Sequence, residues 1–373
     1  MSDDDYDLDK LAKQALAIET EEAKQAGVIG FMARTLTQAT MPHSKSVNNE
    51  FTRRNGAFEL TILSPSSIGL PYGSIPRLLL SWMTTEAVRT RSPILELGPT
   101  LSAFMAELGL ICRGGERGDI TRLKNQIERL FSCMVSCRYQ DETEGKSGGT
   151  GFAIAKEYRL WWNPKSPAQM PLWKSTVTLS TDFFQEIIER PVPVDMRALK
   201  ALKRSPLALD IYCWLTYRMS YLHKPTEVPW PVLQMQFGAD YALQGQGPRD
   251  FKKKFLHHLR RVLVVYSEAD VEDGERGLLL KPSKPHVAQL SPPALPRLKN
   301  PPAPEPLLLL LPLSNDPHLQ TATYERAKQA APGWDVYELE RQWREWIEKK
   351  GLPQKPDAAF IAFCRKKALR GNP

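Results

Sequence analysis

The chain has 373 residues, enough for two or three domains with cores of their own, and its 42% apolar and 25% charged residues are ordinary for a globular protein. Its formal charge of +8 is uneven: residues 1–22 hold eight Asp and Glu against two Lys, which leaves +14 on the rest and suits an anionic partner for which an acidic end competes. Five cysteines (Cys112, Cys133, Cys137, Cys213, Cys364), an acidic N-terminus and a longest aliphatic run of only Leu307–Leu311 exclude a secreted disulfide scaffold and a spanning helix, so a cytoplasmic protein without a metal site is expected.

Residues 1–50 are polar around an apolar island, VIGFMARTL (28–36), and read as an acidic, flexible arm. Folding is expected from Phe51. FELTIL (58–63) alternates as a strand, and IPRLLLSWMTTEAVRT (75–90) is a buried helix opened by Pro76, a residue suited to a first helical turn. A strand over ILEL (94–97) precedes a helix from Thr100 to Gly109, and a further helix spans 119–131. A strand (133–140), the loop DETEGKSGGTG (141–151) and a returning strand FAIAKEYRLWW (152–162) complete the order of a winged helix-turn-helix, with the glycine-rich loop as its wing.

The order recurs. TVTLS (176–180) reads as a strand, and DFFQEIIER (182–190), MRALKAL (196–202), PLALDIYCWLTYRMSYL (206–222) and WPVLQMQFG (230–238) as helices. GPRDFKKKFLHHLRRVLVVY (247–266) is an amphipathic helix running into a strand, and 263–282 closes as a hairpin turning at Asp273-Gly274. The expected fold class is therefore α+β: an arm (1–50), tandem winged-helix domains (51–165 and 166–282), a Pro- and Leu-rich linker (283–320) and a small all-helical C-terminal module (321–373). Eleven prolines between Pro282 and Pro317 make the linker extended, while PLLLLLPL (306–313) inside it suits docking on a partner.

Two helices carry the chemistry. In 247–266, Phe251, Phe255, Leu259 and Val262 share one face, with Arg249, Lys253, His257 and Arg260 opposite; with Lys252, Lys254 and Arg261 there are six Lys and Arg between 249 and 261 against one acid, Asp250. In 119–131, Ile120, Leu123, Ile127 and Leu130 are the inner face, and Arg122, Asn125 and Arg129 the outer. Arginine and asparagine are the side chains that pair bidentately with guanine and adenine edges. Arg113 and Arg117 lie beside glycines in the preceding loop, where phosphate contact is easy, and Lys146 sits at the expected wing tip. A solvated outer face explains such charges as well. Gly145-Lys146-Ser147 is not a Walker A loop, because position 140 is Gln and a strand rather than a helix follows. Adjacent His257 and His258 point about 100° apart and cannot share one metal ion. No hydrolase or metalloprotease motif is present, so neither an enzyme nor a cofactor is expected. In the C-terminal module, Trp334, Tyr337, Leu339, Trp343, Trp346 and Ile347 supply a core, and Arg365, Lys366, Lys367 and Arg370 form a cationic end suited to single-stranded DNA or a partner protein.

Residues 28–110 resemble the plasmid-encoded RepA replication initiator family in VIGFMARTLTQATMPH, EFTRRNGAFELTIL, GLPYGSIPRLLLSWMTTEAVRTRSPILELG and SAFMAELGL. The likeness continues in EYRLWWN (157–163), VTLSTDFFQEIIERPVPVD (177–195) and SPLALDIYCWLTYR (205–218), covering about 28–285. The resemblance implies origin-specific binding of double-stranded plasmid DNA through both winged-helix units, local melting, recruitment of host replication proteins such as the replicative helicase, and in some members a homodimer that represses its own promoter. A transcriptional repressor that melts nothing, or a protein-interaction scaffold, would use the same features.

Overall fold

The computed structural model describes residues 3–23, 25–141, 146–172, 174–189, 191–238, 241–287, 321–332, 336–350, 353 and 355–369. These form two compact units, 1–301 and 302–373. The fold mixes helices with small antiparallel sheets. None of its described helices is long and apolar enough to cross a membrane.

The larger unit begins with helix α1 (Asp3–Glu19), strand β1 (Ile29–Met32) and the short helix α2 (Arg34–Gln38). The expected flexible arm is thus folded. Leu11, Ala15 and Ile18 bury one face of α1. Arg197 donates to the Ala17 carbonyl at 3.2 Å and the Glu21 carbonyl at 2.8 Å, holding its C-terminal end. The composition of the segment hid a 3.6-residue apolar spacing diluted by aspartates.

Strands β2 (Glu50–Asn55) and β3 (Phe58–Leu63), helix α3 (Ser74–Thr90), strand β4 (Ile94–Glu96), and helices α4 (Leu101–Glu107) and α5 (Asp119–Phe131) come next. Then follow strands β5 (Met134–Asp141), β6 (Lys146–Ala153), β7 (Ala155–Arg159) and β8 (Thr176–Leu179). The hairpin β5–β6 joins a four-stranded sheet in the order β2-β3-β5-β6. Leu60 and Ile62 of β3 face Cys137 and Val135 of β5, and all four are buried. The run 152–162, expected as one strand, is broken at the buried Ile154, so β7 leaves that sheet for another, of order β4-β8-β7. The segment 141–151 is therefore not the turn of the sheet containing β4; 160–175 is. Of 141–151, residues 142–145 lie outside the described ones. The expected boundary at 165 also cuts through this second sheet, because β8 lies beyond it.

Helix α6 (Thr181–Glu189) precedes strand β9 (Val192–Asp195), which pairs with β1. Helices α7 (Met196–Leu202) and α8 (Pro206–Met219), strand β10 (Thr226–Pro229), and helices α9 (Trp230–Phe237) and α10 (Gly247–Val265) follow. Strands β11 (Val271–Asp273) and β12 (Gly277–Leu280) close a sheet of order β10-β12-β11. The basic helix runs to Val265 rather than breaking into a strand at 263, because Val262 and Val265 continue its buried stripe.

One buried cluster joins the two halves of this unit. Arg77 of α3 donates Nε and Nη2 to the two Asp210 carboxylate oxygens of α8 at 2.6 and 2.7 Å. Its remaining donors meet the carbonyls of Gly73, Pro42 and Met41, and His43 Nε2 lies 2.7 Å from Asp210. Arg77 is 3% and Asp210 6% exposed. Burial pushes the Asp210 carboxyl upward, but the Arg77 charge and the bonds from His43 and Arg77 outweigh it and hold it down at about 2.

The smaller unit contains helices α11 (Thr321–Ala330), α12 (Val336–Lys350) and α13 (Pro356–Ala368), with Leu339, Trp343, Ile347 and Phe360 buried between them. Trp334 and the Tyr337 side chain lie outside the described residues. Trp346, expected in the core, is 46% exposed and only edges Phe363 at 6.1 Å.

Asp210→Ala leaves the Arg77 charge buried and unpaired and should cost about 3–5 kcal/mol of unfolding free energy in urea titration. Burial also lowers the pKa of His43, His258 (to about 4) and His286. The unfolded histidines take up protons below about pH 6.5 while the folded ones resist, so stability is complete above that pH and is lost as pH falls. The urea midpoint should drop between about pH 7 and about pH 5, and His258→Gln should flatten that drop.

Candidate nucleic-acid interface

Helix α10 owes its placement to an aromatic cluster. Phe255 meets Phe251, Phe237 and Trp230 at 5.6, 5.5 and 5.9 Å between ring centroids, and Trp214 of α8 meets Phe237 at 5.5 Å. Rings of this size on one stripe force the opposite stripe outward. Arg249, Lys253, His257 and Arg260 are all exposed there. Lys254, which helical phase did not single out, is exposed beside them and widens the cationic surface.

Two expected contacts are turned to the protein instead. Arg261 is 8% exposed and lies on the buried side of α10. Lys252 sits over the Trp230 ring at 4.6 Å, pairs with Asp273 at 2.8 Å and donates to the Gly274 carbonyl at 3.1 Å. It fastens the β11–β12 turn to the helix. Both were expected at a groove because composition alone gives every cation in a basic run the same standing. His258 is half-buried against Ser205 Oγ at 3.1 Å, and burial is the first cause of its lowered pKa.

In the first half, α4 ends with Gly109 at φ 69, and Leu110 and Gly109 donate back to the Met105 and Ala106 carbonyls at 2.8 and 2.9 Å. That reversal needs a residue free to adopt a positive φ. The chain then folds over the start of α5: Ile120 donates to the Arg113 carbonyl at 3.1 Å, and Thr121 Oγ1 to that of Gly115 at 2.8 Å. Arg113 and Arg117 stay exposed on this loop. Helix α5 buries Ile120, Leu123, Ile127 and Leu130. Its outer face shows Arg122, Lys124 and Asn125, with Arg122 bonded to Asp119 at 3.0 Å, an exposed pair of little energetic weight.

Arg129 is drawn sideways. Its Nη1 donates to the Leu70 carbonyl at 3.0 Å, and the guanidinium lies over Tyr72 at 5.5 Å. Gly69, at φ 80, leaves no Cβ where that guanidinium passes. Gln126 of the same helix accepts from the Tyr72 amide at 2.9 Å. The block LPYG therefore docks α5, a use that its spacing in the sequence does not reveal.

Lys146 opens β6, in register with Asp141. In the smaller unit Arg365 and Lys366 are exposed at the end of α13, Lys367 donates to Gln342 at 2.8 Å, and Arg370 lies outside the described residues. Sequence reasoning passed over loop 160–175, where Trp161, Lys165, Leu172 and Lys174 are exposed. Its signal was present in the recurrence of Trp, Pro, Met and Leu without strand alternation. Among the described residues no group of His, Cys, Asp and Glu could hold a metal ion.

These placements separate cations that hold the fold from cations that face solvent. Lys252→Ala should lower unfolding stability by about 1 kcal/mol, whereas Arg260→Ala and Lys253→Ala should stay within about 0.5 kcal/mol of the parent in urea titration.

No curated protein sequence matches the chain. Among solved structures, one of RctB domains 2–3 is similar at 11% identity and TM-score 0.40, covering 66% of this chain and 96% of that one. A second, of selenomethionine derivatives of RctB domains 2 and 3, gives 13% identity and TM-score 0.43, covering 68% and 98%. From likeness at this level neither topology nor function transfers. The family model described as plasmid encoded RepA protein matches residues 70–228, a span that takes in the LPYG block, Arg77, α5 and Asp210. Over that span, which is less than half of its length, the chain is similar to plasmid-encoded RepA proteins.

Proposed function

We propose that the chain is a replication initiator that binds repeated sites at a plasmid origin, promotes local melting and recruits host replication proteins, with no catalysis of its own. One observation carries the reading. The second half of the larger unit runs helix, strand, helix, helix, then two strands, the first half has the same order once the hairpin β5–β6 is set aside, and in each the last strand lies between the other two: β4-β8-β7 after α3, α4 and α5, and β10-β12-β11 after α8, α9 and α10. This supports two winged helix-turn-helix units in tandem, with α5 and α10 as recognition helices entering major grooves. The wing of the first is then loop 160–175, and β5–β6 is an insertion between its recognition helix and its sheet. The exposed row Arg249, Lys253, His257 and Arg260 is the surface from which α10 meets phosphates and base edges. Arg122 and Asn125 do the same from α5, with Arg113 and Arg117 on the backbone.

The smaller unit follows the Pro- and Leu-rich stretch, of which residues 288–320, with the PLLLLLPL segment, lie outside the described ones. Its exposed Arg365 and Lys366 suit single-stranded DNA or an acidic partner. A host helicase and a homodimer belong to the same proposal.

The test is a mobility shift with the noncoding DNA of the encoding plasmid across a salt series. About ten phosphate contacts would give a log–log slope on the order of −9. Arg260→Ala should weaken binding by about 1–3 kcal/mol and relax specificity at one position if it reads a base. If it meets phosphate, affinity falls uniformly and the slope shrinks by about one. Bound sites that become permanganate-reactive support initiation, and sites that stay duplex leave a repressor. The absence of any selective shift leaves a scaffold.

A further inference from the structure

The two wings of the larger unit differ in chemistry. The second, around the β11–β12 turn, carries Asp270, Glu272, Asp273 and Glu275 against Arg276 and Lys281, with Asp273 held by Lys252 and Glu272 by Lys281, which leaves Glu275 facing out at the tip. Such a turn repels a phosphate backbone. The first spans 160–175 and is flanked by the exposed cations Lys156, Arg159, Lys165 and Lys174, with Glu157 the acid among them. Between those cations stand large apolar side chains that the described residues leave open to solvent: Trp161 is 51%, Met170 73% and Leu172 90% exposed.

The loop has a built base. Trp162 stacks on Phe104 of α4 at 5.1 Å, the Ser102 amide donates to the Pro167 carbonyl at 3.0 Å, and the Trp161 amide donates to Ser175 Oγ at 2.9 Å. The carboxylates that line the cleft beside Met170 are engaged: Glu86 with Arg89, Glu96 with Lys174, and Glu107 with the Trp82 indole N–H. An anchored base with apolar side chains held out between positive charges fits a polyanion whose interior is apolar. Duplex DNA entered at a base step from the minor groove has that chemistry.

Building on the winged-helix reading, we propose that Trp161 and Leu172 form a wedge that enters a base step of the bound duplex, kinks it and opens the first pairs for melting. Lys165 holds a flanking phosphate while the wedge is in place, and Arg159 stays bonded to Glu157 at 2.6 Å. The second wing, being acidic, stays off the DNA, so distortion is confined to the side of the first unit.

The experiment uses the full chain and a duplex that the wild-type protein selects from a random-sequence pool, with 2-aminopurine placed along it and bending read by circular permutation. Trp161→Ala/Leu172→Ala should bind about tenfold more weakly with an unchanged salt slope, and should lose both the bend and the 2-aminopurine signal. Lys165→Ala should reduce the slope by about one and keep the bend. Leu172→Glu changes a side chain that is almost fully exposed, so it tests the wedge without disturbing the fold, and it should abolish the bend. Wild-type affinity and bending in the double variant overturn the wedge, as does a loss of self-association or protein binding with DNA behaviour intact. In either case a continued effect of Arg260→Ala leaves the DNA-binding reading standing. A wild-type chain that selects nothing from the pool sinks that reading itself.

Discussion

The buried pairing of Arg77 with Asp210 is the constraint on which the larger unit hangs. A guanidinium out of water must satisfy every N–H, and here two go to a carboxylate and the rest to three backbone carbonyls in two loops. That set fixes the loop at 41–43, the turn at Gly73 and the two long helices α3 and α8 at once. Each of those helices also packs on one of the basic helices, α3 on α5 and α8 on α10. Under the proposed reading α5 and α10 need a set distance and angle, and the charge pair with its rigid fork geometry constrains both through α3 and α8. The same site is costly to assemble, because both ions lose their water, so its value lies in specifying one arrangement as much as in stability.

A second principle orders the cations. Arg129 sits on α5 and Lys252 and Arg261 on the strongly basic α10, yet each is turned to the protein. Lys252 and Arg129 find an aromatic ring and a backbone carbonyl, and Arg261 is buried on the inner side of its helix. Long cationic side chains can bury their stems and bind neighbours, so a charge count overstates what is offered to a polyanion. What remains outward on α10 is one row, Arg249, Lys253, His257 and Arg260, with Lys254 at its edge. The aromatic cluster of Phe251, Phe255, Phe237 and Trp230 keeps that row in place.

The halves share an order of elements but not a chemistry. The first shows fewer outward cations on its basic helix, with Arg122 tied to Asp119, and has the apolar, cationic loop at 160–175. The second has the strong basic helix and an acidic turn. Capture by one half and distortion by the other is a division of labour that this asymmetry allows, since affinity for phosphate and entry between bases call for different side chains.

Much was legible in the chain itself. The helices at 75–90, 119–131 and 247–265, the faces they bury, and the β5 strand and its hairpin partner follow from local periodicity, because the spacing of apolar residues is fixed by the geometry of each element. The family likeness rests on the LPYGSIPRLLL block, and that too is local. Which sheet a strand joins is not. The glycine-rich hairpin has the composition of a wing, yet Val135 and Cys137 pair it with Leu60 and Ile62, and the break at Ile154 sends the next strand elsewhere. The order β4-β8-β7 depends on a partner twenty residues further on. The acidic N-terminal helix, the cradle of Gly69 and Tyr72 around Arg129, and the meeting of Arg77 with Asp210 across 133 residues of chain were likewise settled only by tertiary packing. Such contacts join groups whose spacing in sequence carries no period, so nothing in the order of residues announces them.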